Sequence, residues 1–465
     1  MIELSLAEIA EATGGRVVGD PRLRITAGVH TDSREVTGGS LFFALPGETT
    51  DGHLFAPAAR EAGAVAAVVE RELDEPLAQV VVPEGLAALS ALAAHVVARV
   101  RALGELRVVA VTGSNGKTTT KNMLRTVLEA EGATVAPPGS FNNEVGAPIS
   151  MLRIDEGTRF LVVEMGADAV GDVAKLMAVA RPDVGIVLKV GLAHIGKFGD
   201  PEAIARAKSE MVSELGPDGV AVLNADEPRV AAMAQRAPGR VVRFGLDPEA
   251  HVRGSEVAVT ASGTGFTLHA DGASHPVRLG ILGEHHAMNA LATVAAVREL
   301  GIPVPRAIER LEAMPRAERW RMERLERPDG VLVINDAYNA SPDSMAAALK
   351  TLAGITRGTG RRSIAVLGEM AELGDWADDE HDRIGRLAVR LNISQLVVVG
   401  HAARHIHNAA GLEGSWDGES ILVQTPDEAY DVLRDRLQEG DVVLVKSSKS
   451  AELRFLGDRL AGVAE

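Results

Sequence analysis

Val108-Val109-Ala110-Val111-Thr112-Gly113-Ser114-Asn115-Gly116-Lys117-Thr118-Thr119-Thr120 is the stretch that decides the fold. Its apolar start reads as a buried strand, and the positions that follow, Met123, Leu124, Val127 and Leu128, share one face of a helix over 117–131. Gly132 suits the end of that helix. Between strand and helix, glycines let backbone N–H groups approach phosphate oxygens. The helix N-terminus adds positive potential, Lys117 a full charge, and Thr118 a hydroxyl suited to Mg²⁺. A Gly-rich turn with a surface lysine is the alternative, and the strand-loop-helix order argues against it. Val111 stands where the general P-loop pattern has its first glycine, so this loop is shorter than the common one. Alone it specifies nucleotide binding, which a GTPase, a kinase and a ligase would share.

Working outward gives an α/β protein of three domains. Residues 1–83 read as a small α/β domain, with strands at 16–18, 41–45, 64–69 and 80–82 and one helix over 53–61. A helix over 85–103 opens the central domain, 84–315. There, strands at 160–163 and 184–187 around a helix over 170–180 extend a mainly parallel sheet. Short alternating runs over 251–282 predict an antiparallel extension, and a helix over 286–299 follows. Beyond Pro315, apolar runs at 331–334, 364–367, 396–399, 421–423 and 442–445 alternate with helical segments. This is the pattern of a Rossmann-like domain covering 316–465.

At 465 residues the chain exceeds what one hydrophobic core supports. Its 64 acidic against 48 basic residues, net −16, give no general attraction to nucleic acid or to an anionic membrane. There is no cysteine, which excludes disulfides and thiolate metal sites and fits a reducing compartment. The start Met1-Ile2-Glu3-Leu4 shows no signal peptide. The apolar stretch 86–103 carries His95, Arg99 and Arg101 and reads as a soluble helix. A cytoplasmic protein without nucleic-acid partner or membrane insertion is therefore expected, and it is taken to be a monomer.

The short Thr-Gly-Ser-x-Gly-Lys-Thr loop resembles that of the Mur ligases and folylpolyglutamate synthetases. Thr31-Asp32-Ser33-Arg34, the motif 39–48 (Gly-Ser-Leu-Phe-Phe-Ala-Leu-Pro-Gly-Glu) and Asp51-Gly52-His53 resemble the UDP-binding domain of Mur ligases, which the synthetases lack. Gly139-Ser140-Phe141-Asn142-Asn143-Glu144-Val145-Gly146-Ala147-Pro148 is similar to a further Mur segment. Asn335-Asp336-Ala337-Tyr338-Asn339-Ala340-Ser341-Pro342 and Leu367-Gly368-Glu369-Met370-Ala371-Glu372-Leu373-Gly374 resemble the branch of the family that adds D-alanyl-D-alanine. The sequence departs from the family pattern at Lys189, at Glu284 and His286, and at Ser447 and Lys449.

The resemblance implies an ADP-forming ligase that activates the carboxylate of UDP-N-acetylmuramoyl-tripeptide as an acyl phosphate and joins D-alanyl-D-alanine to it. ATP would lie on Thr112, Gly113, Ser114, Asn115, Gly116, Lys117, Thr118 and Thr119, with Asn289 near adenine and Asp336 at the ribose. Two Mg²⁺ ions are implied, with Thr118, Glu164, His194 and a CO₂-carbamylated Lys208 as ligands. Lys117 and Arg321 would face the phosphates. Ser33 and Arg34 would meet UDP, Asn142 and Asn143 the substrate, and Tyr338 and Asn339 the ATP or dipeptide site. Taken singly, Glu164 could be a solvated strand-end residue, His194 a satisfied polar group and Lys208 a plain phosphate partner. A Mur ligase adding a single amino acid and a nucleotide-gated binding protein are the competing functions.

Overall fold

The computed structural model describes residues 1–47, 49–414 and 416–463. Glu48 of the motif 39–48, and residues 464–465 at the end of the expected third domain, lie outside the described residues. Three main sheets succeed one another along the chain.

The first has five strands, ordered Arg16–Val18, Ala78–Val81, Ala66–Val69, Leu41–Phe43 and Val29–His30, antiparallel only at the first pair. The expected helix over 53–61 is a 3₁₀ turn, Gly52–Phe55, running into the helix Ala56–Glu61. It is not alone, because the helix Leu6–Thr13 precedes the sheet. Its signal was legible: Ser5 and Glu8 form a reciprocal capping box and Gly14 closes the end in the left-handed region.

The helix Gly85–Arg101 joins this unit to the next. Its buried Ala88, Leu89, Leu92 and Val96 belong to an apolar cluster shared with Leu6 and Ile9 on one side and Val173 and Leu176 on the other. The central sheet has nine strands. Parallel pairing runs from Thr134–Val135 through Phe160–Glu164, Arg107–Thr112, Val184–Val187, Val220–Asn224 and Arg240–Gly245 to Val252–Thr260. Gly263–Ala270 and Ala273–Leu279 then add an antiparallel meander, as the alternating runs predicted. Helices Lys117–Glu129 and Glu284–Glu299 cover one face.

The third sheet is ordered Glu323–Glu326, Leu332–Asn335, Val442–Lys446, Ser363–Leu367, Gln395–Val399 and Glu419–Val423. It is parallel except at the first pair. Both larger sheets are therefore α/β sheets whose strand C-terminal edges carry polar residues: Thr112, Glu164 and Asn224 in one, Asn335 and Lys446 in the other. Open sheets of this kind bind ligands at such edges.

Candidate active site

The two edges face one cavity of about 1520 Å³, lined among others by Lys117, Glu164, Lys208, Asn289, Arg321 and Asp336. It exceeds the roughly 300–1,000 Å³ of an ordinary small-molecule pocket, so it has room for more than one substrate. At its centre is the P-loop. Gly113 and Gly116 have φ of +152° and +88°, and a Cβ on Gly116 would lie 2.6 Å from Asn289 Oδ1. Only glycine lets the loop pass so close to the helix that carries Asn289. Thr112 Oγ1 donates to Met165 O (2.8 Å) and Ser114 N–H to Lys189 O (2.8 Å), which tie the loop to both neighbouring strands.

Lys117 Nζ donates to Gly113 O at 2.7 Å. Burial pulls its pKa below the ordinary lysine value, opposed by Glu164. Glu164 is fully buried, and its Oε1 accepts from Asn142 Nδ2 (2.8 Å) and Thr118 Oγ1 (3.3 Å). Its Oε2 has no hydrogen-bond partner among the described residues. A carboxylate oxygen left bare in a buried site invites a cation. No group of three or more His, Asp or Glu side chains with metal-site geometry occurs among the described residues. This donor set fits Mg²⁺, which takes one or two carboxylates and fills its shell with phosphate and water oxygens.

Lys208, on the helix Pro201–Ser213, is 3% exposed, and its side-chain amine makes no hydrogen bond or ion pair to a described residue. Burial, and then the nearby Lys117, push its amine down to about 7. His194 heads a short turn with φ +62°, and its Nδ1 lies 2.5 Å from Glu372 Oε2 and 3.5 Å from Asp168 Oδ1. Burial lowers its pKa while Glu372 raises it. Lys197 completes the group, 2.8 Å from Asp168 and 3.6 Å from Glu372.

Further contacts dock the third sheet's unit on the P-loop. Ser341 Oγ donates to Asn115 Oδ1 (3.0 Å), and Asp343 accepts from Lys189 Nζ and Leu192 N–H, both at 3.2 Å. Arg321 lies over the Tyr338 ring, 4.4 Å from its centroid. Asp336 already holds Met322 N–H (3.0 Å) on one oxygen and the buried Lys446 Nζ (2.6 Å) on the other. Beside the departures Glu284 and His286, the rings of His285 and His286 lie against each other, centroids 4.1 Å apart and tilted by 44°. Burial holds His285 down to about 4 and His286 well below the ordinary value, so both are neutral near pH 7.

The structure thus gathers P-loop residues 114–119, Asn142, Asn143, Glu164, His194, Lys208, Asn289, Arg321, Asp336, Tyr338 and Asn339 around one cavity, while Thr112 and Gly113 are not among its lining residues. Ser33 and Arg34 are not among its lining residues; Arg34 is exposed and paired with Asp32 at 2.6 Å. Sequence reasoning missed Asp168, Lys197, Glu372 and Lys121. Lys121 is buried one helical turn after Lys117, with its Nζ donating to Pro137 O (2.9 Å) and Gly139 O (2.6 Å), and so anchors the loop that bears Asn142. The four-residue spacing from Lys117 signalled its place. Glu372 lies in the quoted motif 367–374, which gave it no role, and no local pattern marked Asp168 or Lys197.

A P-loop at the edge of one sheet, closed over by the edge of a Rossmann-like unit, defines a multidomain nucleotide-binding α/β protein. Residues 26–106 match the family described as Mur ligase family, catalytic domain, 111–297 the Mur ligase middle domain, and 320–449 the Mur ligase, glutamate ligase domain. A UDP-N-acetylmuramoyl-tripeptide–D-alanyl-D-alanine ligase of Mycobacterium tuberculosis is 44% identical over 99% of this chain and 98% of its own length. The Bacillus subtilis protein of that name is 34% identical over 97% of each. Among solved structures, MurF from Acinetobacter baumannii superposes with a TM-score of 0.89, 30% identity and 99% coverage of both chains. The chain belongs to the Mur ligase family.

Proposed function

We propose that this protein joins D-alanyl-D-alanine to UDP-N-acetylmuramoyl-tripeptide with cleavage of ATP to ADP and phosphate. One observation carries the reading beyond family membership. The cavity that holds the P-loop and Arg321 continues without interruption to Glu84, Leu86, Ala87 and Ser90 at the junction with the first unit, so a nucleotide and a long UDP-linked substrate could share it. The relatives of that name, which align over nearly their whole length, support it. In keeping with this, the enzyme would act in the cytoplasm as a monomer, and no helix among the described residues is long and apolar enough to cross a membrane.

In the proposed reaction a tripeptide carboxylate oxygen attacks the γ-phosphorus, ADP leaves, the dipeptide amine attacks the acyl carbon, and phosphate departs as the amide forms. Lys117 and Arg321 approach the cavity from opposite units and would neutralise charge on the transferring group. Thr118 and Glu164 would hold Mg²⁺, which supplies charge neutralisation on the phosphates. Lys208 is proposed to carry a carbamate, and His194 to lie beside it as a second cation-binding group. Asn289 and Asp336 are assigned to the adenosine end, with Asp336 acting through Met322 and Lys446 as much as directly. Asn142, Asn143, Tyr338 and Asn339 are assigned to the peptide path, and Ser33 and Arg34 to the UDP end. We place the domain boundaries near 83 and 315.

The test is phosphate release with ATP across a panel of UDP-muropeptides. Turnover that requires both a UDP-tripeptide and D-alanyl-D-alanine is expected. Equal turnover with single amino acids would move the chain to another Mur activity. ATP turnover independent of both substrates would favour a nucleotide switch.

A further inference from the structure

The segment that delivers Arg321 to the cavity is strained and tied down. Trp320 and Met322, on either side of Arg321, have φ of +57° and +49°, a region that large L side chains rarely occupy. Such a backbone persists only where its surroundings over-determine it. Three carboxylates do so here. Asp336 takes Met322 N–H (3.0 Å), and Glu323 takes Trp320 N–H (2.9 Å). The third is Asp458, on the last helix, Leu453–Ala461.

Asp458 is 8% exposed. Its Oδ2 accepts from Trp320 Nε1 (2.9 Å) and Arg319 Nη2 (2.8 Å), and its Oδ1 from Asn335 Nδ2 (3.0 Å). Asn335 precedes Asp336, so one carboxylate fixes both the strained link and the strand end that receives it. The Trp320 ring is further held edge-on to Phe455, 6.0 Å between centroids, and lies under the Arg319 guanidinium. The last helix can come this close because its next residue back is Gly457, where a Cβ would lie 2.4 Å from Asn335 Nδ2.

We infer that Asp458 is a positioning residue for the phosphoryl-transfer site: by clamping Trp320 and Arg319 it holds the strained turn that aims Arg321 at the nucleotide. Asp458 and Trp320 are absent from the cavity lining and so act through Arg321. This rests on the proposed role of Arg321. The enzymatic readout is steady-state turnover with ATP, UDP-tripeptide and D-alanyl-D-alanine for Asp458→Ala, Trp320→Phe, Arg321→Ala and the double variants. Asp458→Ala is expected to lower kcat by about tenfold to a hundredfold, the scale of a displaced positioning group, with KM for the UDP-tripeptide little changed. Trp320→Phe removes one donor while keeping the ring, and should give a smaller loss of the same kind if Asp458→Ala fails to fold. In the Arg321→Ala background neither change should lower kcat further. Losses that simply multiply with that of Arg321→Ala, or wild-type kcat in both single variants, would overturn the inference. Wild-type kcat in Arg321→Ala alone would instead remove the role of Arg321 on which it rests.

Discussion

Lys208 sits where an ammonium is disfavoured by burial and again by the charge of Lys117. With its pKa at about 7, a large share of the amine is neutral at physiological pH, and only the neutral form attacks CO₂. Carbamate formation releases a proton and turns a group that repels cations into an oxygen donor of the sort Mg²⁺ prefers. The sign follows: the carbamate is favoured above about pH 7 and lost as the pH falls below it. Carbon-13 NMR of the protein under labelled CO₂ should show a carbamate signal that fades on acidification and is absent in Lys208→Ala. That variant should be nearly inactive and partly restored by acetate but not by alkylamines. Rescue by amines alone would mean that the charge needed there is positive. Position 208 was legible only through the family pattern. Its burial and solitude come from packing between the helix Pro201–Ser213 and the strands beneath it, which no local sequence feature announces.

At the scale of elements, strands buried on both faces were legible because they are unbroken apolar runs; Val184–Val187 matches its expected bounds and Phe160–Glu164 differs by one residue. Val220–Asn224 and Arg240–Gly245 were missed, the latter because Arg240 and Arg243 break its apolar run. The edge strand Glu323–Glu326 was missed because it is charged and only four residues long. The helix Pro201–Ser213 has a complete start signal, with Asp200 accepting from Ala203 N–H (2.7 Å) and Pro201 in the first turn. That cap matters to function because the helix bears Lys208. Asp200→Ala should cost the helix start about 1 kcal/mol, which is roughly a fivefold loss of protection. Hydrogen exchange of peptides spanning 201–206 reads this directly, and Asp200→Asn should retain the protection. Unchanged exchange in the alanine variant would show that tertiary packing, and not the cap, sets the stability of this end.

The whole molecule places its chemistry between units, so the site is complete only when they are docked. Lys117, Glu164, His194 and Lys208 belong to the nine-stranded unit, whereas Arg321, Asp336 and Glu372 belong to or border the six-stranded one. This division was readable from motif order along the chain. The contacts that close it were not, because Ser341–Asn115, Asp343–Lys189 and Glu372–His194 join residues more than 150 positions apart. One close approach is backbone on backbone. Gly196 N–H donates to Glu372 O (3.1 Å), and a Cβ at Gly196 would come within 2.8 Å of both Glu372 O and Gly374 N. Neither atom belongs to a flexible side chain, so a methyl group there must push the units apart. Gly196 itself is not in the positive-φ region, so alanine is compatible with its backbone and the effect falls on docking. Gly196→Ala should therefore leave ATP binding at the P-loop largely intact while increasing the radius of gyration in solution scattering. Displacement of Arg321 and Glu372 from the P-loop by about 1 Å would lower kcat by as much as a hundredfold. Wild-type turnover with an unchanged scattering profile would show that the two units tolerate the extra methyl, and that docking at this point does not limit the reaction.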